Sequence, residues 1–320
     1  MITTLTPNPS LDRTIELPGP LGRGEVQRAS AATAEPGGKG VNIVRALAAS
    51  GIAALALLPG DAEDPVVLAL TAHQVPHIAM PIGAPLRSNV AITEPDGTTT
   101  KVNEPGPELG PEQQQALLEL TLEKSDGASW LVLAGSLPPG VPADYYARIT
   151  EALRKRFGSH APRVAIDSSG APLAAALAAR PDLLKPNAEE LAELTGIGSE
   201  AELEADHALA ATAAQSLVDA GVGAVLATLG SKGAVLVTPE GSWFAHGPKI
   251  IAKSTVGAGD SALAGYLLST LAGATGPECL QQAVAHGAAA ASLPGSIVPA
   301  LSQTNPSAVT VAALASAKEN

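Results

Sequence analysis

Basic residues are scarce in this chain of 320 residues: nineteen Lys and Arg face thirty-one Asp and Glu, a formal net charge of −12. Recognition of a nucleic-acid backbone needs a dense cationic surface, so that class of partner is excluded. Any phosphate-bearing ligand must therefore meet a local group of cations. Cysteine is nearly absent too. Cys279 stands alone, which rules out an internal disulfide framework and a cysteine-based zinc site and agrees with a reducing compartment. Aromatics make up 2% of the chain against 46% apolar residues, so the core has to be built from Ala, Val and Leu. No apolar run approaches a membrane span. Met1-Ile2-Thr3-Thr4-Leu5-Thr6-Pro7 lacks the basic and apolar regions of an export signal, and the expectation is a cytoplasmic protein with no membrane partner. The six His show no metal-ligand spacing and read as structural.

What the chain does have is rhythm. Short aliphatic runs at residues 2–5, 53–58, 130–134, 164–166, 183–184 and 224–227 alternate with stretches of helical periodicity at 41–50, 111–124, 143–156 and 203–220. Parallel strands need such crossovers, so the pattern predicts an α/β fold, a doubly wound parallel sheet sandwiched by helices. Two segments break the rhythm. Residues 88–93 and 98–103 alternate around Glu94-Pro95-Asp96-Gly97 and read as an inserted antiparallel hairpin, and residues 14–34 are also strand-like. Together, about 13–35 and 87–104, they are expected to form a small β-sheet lid over one end of a single domain spanning 1–320. A further hairpin is expected at 234–238 and 242–246.

The sharpest chemical signal is Ser254-Thr255-Val256-Gly257-Ala258-Gly259-Asp260, followed by an apolar helical run. Glycines that turn their amides inward at a helix start make an anion site, and Asp260 falls in the first turn, where the helix dipole favours a carboxylate. From this stretch alone, a Gly-rich turn capped by Asp260 reads equally well. A dinucleotide fingerprint is excluded by context, since helix follows helix toward the C-terminus rather than a second strand. A Walker A loop is absent, because neither Gly38-Lys39-Gly40 nor Ser231-Lys232-Gly233 is followed by Ser or Thr.

Other candidates fall at predicted strand ends or helix starts. Gly37-Gly38-Lys39-Gly40-Val41-Asn42 opens the first amphipathic helix, where the glycines allow close approach, Lys39 adds charge and Asn42 can bind hydroxyls. Asp12, in Asn8-Pro9-Ser10-Leu11-Asp12, leaves the first strand at the edge where α/β proteins bind ligands; it either clamps sugar hydroxyls or stabilises a turn. Lys185-Pro186-Asn187-Ala188-Glu189-Glu190 and Thr228-Leu229-Gly230-Ser231-Lys232-Gly233 follow further strands. Asn187 and Glu190 are placed to hold a hydrated magnesium ion, with a helix cap as the other reading of Asn187, and Thr228 with Gly230 to cradle phosphates.

Read together with Gly135-Ser136-Leu137-Pro138-Pro139-Gly140 and Asp167-Ser168-Ser169-Gly170, these motifs resemble, nearly end to end, the phosphofructokinase B (ribokinase-like) family of sugar kinases. Thr6-Pro7 before Asn8, the stretch Asn103-Glu104-Pro105-Gly106-Pro107 and Ser254 are most similar to the branch of 1-phosphofructokinase and tagatose-6-phosphate kinase. Two stretches depart from the family pattern: Leu58-Pro59-Gly60-Asp61-Ala62-Glu63-Asp64, and Ser88-Asn89 after Arg87. The resemblance implies a Rossmann-type core, a lid used for homodimerisation, and Mg-ATP with a monovalent cation such as K+ as a further option. It implies Asp260 as the base beside the amides of Gly257, Ala258 and Gly259. Sugar-phosphate contacts are implied for Asp12, Gly37, Gly38, Lys39, Asn42, Arg87, Asn89, Asn103 and Ser136. Nucleotide contacts are implied for Lys185, Asn187, Thr228, Gly230, Ser231, Lys232 and Gly233, with magnesium held through water by Asn187 and Glu190.

The implied reaction is ATP-dependent phosphorylation of a ketohexose phosphate, fructose 1-phosphate first, with tagatose 6-phosphate and fructose 6-phosphate as alternatives. A kinase of an unphosphorylated sugar or nucleoside is disfavoured by Arg28, Lys39, Arg87 and Lys101, the local cations that this acidic chain otherwise lacks. A non-catalytic sugar-phosphate sensor is disfavoured by the retained Asp260. Arg87, helped by Lys39, is expected to grip the substrate's existing phosphate with its planar fork.

Overall fold

A computed structural model describes residues 1–314. Strand β1 (Ile2–Leu5) leads into β2 (Ser10–Glu16) and β3 (Ala31–Gly37), then α1 (Lys39–Ala49), β4 (Ala54–Pro59), α2 (Pro65–Ala72) and β5 (His77–Met80). After β6 (Arg87–Thr93) and β7 (Thr99–Asn103) come α3 (Pro111–Lys124), β8 (Trp130–Ala134), α4 (Tyr145–Phe157), β9 (Arg163–Asp167), α5 (Gly170–Ala176) and β10 (Leu183–Leu184). The remainder is α6 (Ala188–Thr195), α7 (Glu200–Ala205), α8 (His207–Asp219), β11 (Val225–Thr228), β12 (Ala234–Thr238), β13 (Gly241–His246), α9 (Ala258–Leu271), α10 (Gly276–Ala291) and β14 (Thr310–Ala313).

Ten strands form one sheet in the order β14-β13-β12-β11-β10-β9-β8-β1-β4-β5. From β11 to β5 the pairings are parallel, while β12, β13 and β14 add antiparallel at one edge. Because successive strand residues face opposite sides, the sheet feeds two cores. Ile2, Val132, Leu226 and Leu236 pack with α1, α2, α9 and α10; Leu5, Leu131, Leu133, Val225 and Val235 pack with the helices α3 to α8. The expected sandwich is present, and its parallel strands end along one edge.

The second sheet has four strands in the order β3-β2-β6-β7. The 88–103 hairpin forms as expected, its turn held by Thr98 N donating to Asp96 Oδ1 at 2.9 Å. As expected, it shares a sheet with the earlier segment, β2 pairing parallel with β6, but β2 and β3 reach 10 and 37, beyond the 13–35 insert read from sequence. Asp12 accordingly lies inside a strand of this small sheet, not at the end of β1. The helix expected over 203–220 is two helices, because Asp206 turns to the extended region and caps α8 by accepting from Ala208 N and Leu209 N at 2.9 and 3.1 Å.

Candidate active site

At the carboxyl ends of β9 and β10 and the starts of α1 and α9, buried charges meet. Asp167 ends β9 with no exposed surface, and both its oxygens face lysines: Lys39 Nζ is 2.6 Å from Oδ1 and Lys185 Nζ 3.1 Å from Oδ2. Lys39 is the first residue of α1 and also lies 3.9 Å from Glu190 Oε1. One turn into α1, Asn42 Nδ2 donates to Asp260 Oδ2 at 2.9 Å. Asp260 sits in the first turn of α9, behind Gly257, which caps the helix at φ 72°, a left-handed conformation that favours glycine. A side chain at Gly259 would meet Lys185 Nζ. Residues separated by more than two hundred positions thus meet in one polar cluster.

These neighbours set the charge states. Burial in the company of Asp167 pushes the Asp260 carboxyl up to about 6, although Asn42, Lys39 and Lys185 pull it back. Asp167 goes the other way. Burial would raise it, but Lys185 and Lys39 more than offset that and hold it below the usual carboxylate range. Burial pulls Lys39 down, yet the nearby Asp167, Glu190 and Asp260 carboxylates leave it raised overall and firmly cationic. Two carboxyls with opposed shifts fit a proton acceptor beside a structural anion.

The small sheet faces this edge with a polar cluster. Asp12 Oδ1 accepts from Ser10 Oγ at 2.7 Å and from Asn89 Nδ2 at 3.0 Å, and Asn89 Nδ2 also reaches Ser10 Oγ at 3.0 Å. Any Cβ at Gly37 would collide with the Asp12 carboxylate, so glycine is what lets β3 pass there. Asn103 is the register partner of Asn89 on β7 and is exposed. Arg87, half-buried at the start of β6, donates from Nε to Asn8 O and from Nη1 to Glu104 O, both at 3.2 Å. Burial lowers its pKa, against the opposing pull of Asp12 and Glu104. With Nε committed, its free hydrogens lie at the Nη1–Nη2 end rather than along the Nε side of the fork. Lys39, which the sequence reading paired with Arg87, has Asp167 and Glu190 as partners instead. Ser136, exposed in the loop after β8, accepts from Asn8 Nδ2 at 3.3 Å. Arg28 and Lys101 are exposed on and beside the small sheet.

At the other end of the edge, a bridge between Asn187 and Thr228 and a bond from Thr228 N to Pro186 O at 3.0 Å join the two loops singled out in the sequence. Asn187 Oδ1 accepts from Glu190 N at 2.7 Å and Glu190 Oε2 from Asn187 N at 2.9 Å, a capping box at the head of α6. The cap reading of Asn187 is therefore realised, and Glu190 Oε1 is the oxygen of this pair that faces Lys39. Gly230, Ser231 and Lys232 form an exposed helical turn closed by Gly233 at φ 119°.

Asp167 has a role that its motif in the sequence does not by itself reveal. The signal is an Asp ending an aliphatic strand before Ser168-Ser169-Gly170. Asn8 and Ser10 were likewise passed over, though they tie the small sheet to the site.

The model of the pfkB family carbohydrate kinases matches residues 6–303. Among relatives, the 1-phosphofructokinase of Rhodobacter capsulatus is 37% identical, over 83% of this chain and 82% of its own. The ATP-dependent 6-phosphofructokinase isozyme 2 of Escherichia coli K12 is 35% identical, over 90% and 92%. Among solved structures, phosphofructokinase-2 from Escherichia coli in complex with potassium superposes with a TM-score of 0.85 at 31% identity, covering 94% of this chain and 96% of that one.

Proposed function

Since the chain belongs to the pfkB family of carbohydrate kinases and is a sugar-phosphate kinase, we propose that it transfers the γ-phosphoryl group of ATP to the 6-hydroxyl of fructose 1-phosphate, giving fructose 1,6-bisphosphate. The observation that carries this reading is the buried Asp260 at the glycine-lined head of α9, ionisable near 6, beside an anion already neutralised by two lysines. The choice of fructose 1-phosphate follows the name of the Rhodobacter relative.

In this mechanism Asp260 takes the proton as the sugar hydroxyl attacks, and Asn42 holds its carboxylate in place. The amides of Gly257, Ala258 and Gly259, with Lys185 beside them, stabilise the charge on the phosphoryl oxygens in flight. Asp12 and Asn89 orient sugar hydroxyls, Asn103, Gly37 and Gly38 shape the same pocket, and Arg87 with Ser136 faces the phosphate that the substrate already carries. Thr228 and the turn from Gly230 to Gly233 take the nucleotide. Asn187 and Glu190 fit magnesium only as outer-sphere partners, since the cap occupies Asn187 Oδ1 and leaves Glu190 Oε1 facing the site. Bound there through water, magnesium would neutralise diphosphate charge. A monovalent cation belongs to the same reading, as does a cytoplasmic, single-unit kinase.

Assembly follows from the small sheet. Asp12 and Asn89 share one face, so alternation puts Ile15, Val90, Ile92 and Val102 on the other, an apolar face with Val102 57% exposed. A homodimer joined through this face covers it. The experiment for the reaction is ADP release by the purified protein with fructose 1-phosphate, fructose 6-phosphate, tagatose 6-phosphate, free fructose and a nucleoside. The reading requires the highest kcat/KM with fructose 1-phosphate, and preference for an unphosphorylated acceptor would refute it.

A further inference from the structure

In the loop after β4, Gly60-Asp61-Ala62-Glu63-Asp64, both aspartates reach the segment just ahead of Arg87. Asp61 Oδ1 accepts from Ile82 N at 2.8 Å and from Gly83 N at 3.1 Å. Asp64 is 8% exposed and uses both oxygens: Oδ1 caps α2 through Val66 N at 2.8 Å, and Oδ2 accepts from Leu86 N at 2.9 Å. Gln113 on α3 completes the fastening by donating to Ile82 O at 2.9 Å. Leu86 itself packs into the core, against the backbone of Gly60. Residues 82–86 have no strand or helix bonds of their own, so charged acceptors on the core stand where a ladder otherwise would.

We propose that Asp64, assisted by Asp61, is a positioning residue for sugar-phosphate recognition: by holding the amide of Leu86 against the head of α2, it fixes where the Arg87 guanidinium stands. The inference rests on the reading of Arg87 as the phosphate-facing residue. The backbone fastening sits one residue upstream of Arg87, and the guanidinium contacts to Asn8 O and Glu104 O fasten the other end. Loosening Leu86 therefore lets the whole side chain shift, and a misplaced donor loses binding without touching Asp260.

The test is a double-mutant cycle read in steady-state kinetics. Asp64→Asn keeps one oxygen for Val66 N and sets the amide NH2, a donor only, against Leu86 N. The expected result is a KM for fructose 1-phosphate raised about tenfold, with kcat and the KM for ATP changed by less than about twofold. In an Arg87→Ala background the same substitution should add less than about twofold, because there is no guanidinium left to misplace. An equal factor in both backgrounds overturns the positioning role while leaving the phosphate reading intact. If Arg87→Ala alone leaves the KM for fructose 1-phosphate unchanged, the phosphate reading falls and the inference with it. Should Asp64→Asn fold poorly, Asp61→Ala spares the α2 cap and must show a KM rise of the same kind, also lost with Arg87→Ala; an unchanged KM there overturns the proposal.

Discussion

Asp260 has to be ionised to accept a proton, and a carboxyl pushed up to about 6 by burial and Asp167 places the acid limb of activity near that pH. Accordingly, kcat/KM for the sugar phosphate should fall about tenfold per pH unit below about 6. A flat profile down to pH 5 would contradict the assignment. Asn42 stabilises the ionised form, so Asn42→Leu should move the limb to higher pH. Asp260→Asn should lower kcat by about 10²–10⁴-fold while binding of both substrates survives. Its effect on stability has a definite sign. A carboxyl raised in the folded state contributes stability below its unfolded pKa, near 3.8, and loses it as pH rises through about 6. At neutral pH the ionised Asp260 therefore destabilises the fold, and Asp260→Asn should raise Tm even as activity disappears. Asp260, Asn42 and Lys39 were readable from local sequence because each opens a helix behind glycine. Asp167 was not singled out, because its meaning lies in two lysines, Lys39 far before it and Lys185 after it, that only the sheet order brings together.

Elements were legible where one signal dominated. Short aliphatic runs marked β4, β8, β9, β10 and β11 because strands buried on both faces are mostly apolar, while β1 was legible from Ile2 and Leu5 around two buried threonines. Strands β5 and β14 escaped notice, since His77-Ile78-Ala79-Met80 and Thr310-Val311-Ala312-Ala313 are short edge strands, the first only partly buried and the second mostly exposed. The break between α7 and α8 was missed for another reason. Apolar periodicity continues across Asp206, and only the cap geometry reveals that the chain restarts there. Asp206→Ala should cost about 1 kcal/mol of stability by removing that cap, seen as a lower Tm, with kinetics unchanged. Parallel pairing of β2 with β6 could not be read at all, because register between segments so far apart leaves no local trace.

At the scale of the whole molecule, an acidic chain places two lysines on the buried Asp167 and one arginine at the foot of the small sheet, the cations that the proposed reaction draws on. The apolar face of that sheet needs a cover, and sedimentation should find a homodimer at micromolar concentration; a fully active monomer there would remove the assembly proposal. Charge on that face, as in Ile92→Lys, should dissociate it. The proposed reaction is defined by where the phosphoryl group lands. Phosphorus NMR of the mixture of protein, ATP, magnesium and fructose 1-phosphate reads this directly. The prediction is a second phosphomonoester, on C6 of the sugar, growing in step with ADP and at least about a hundredfold more slowly with Asp260→Asn. ATP consumed with inorganic phosphate as its only new product, or a C6 ester formed equally well by the Asp260→Asn variant, would contradict it.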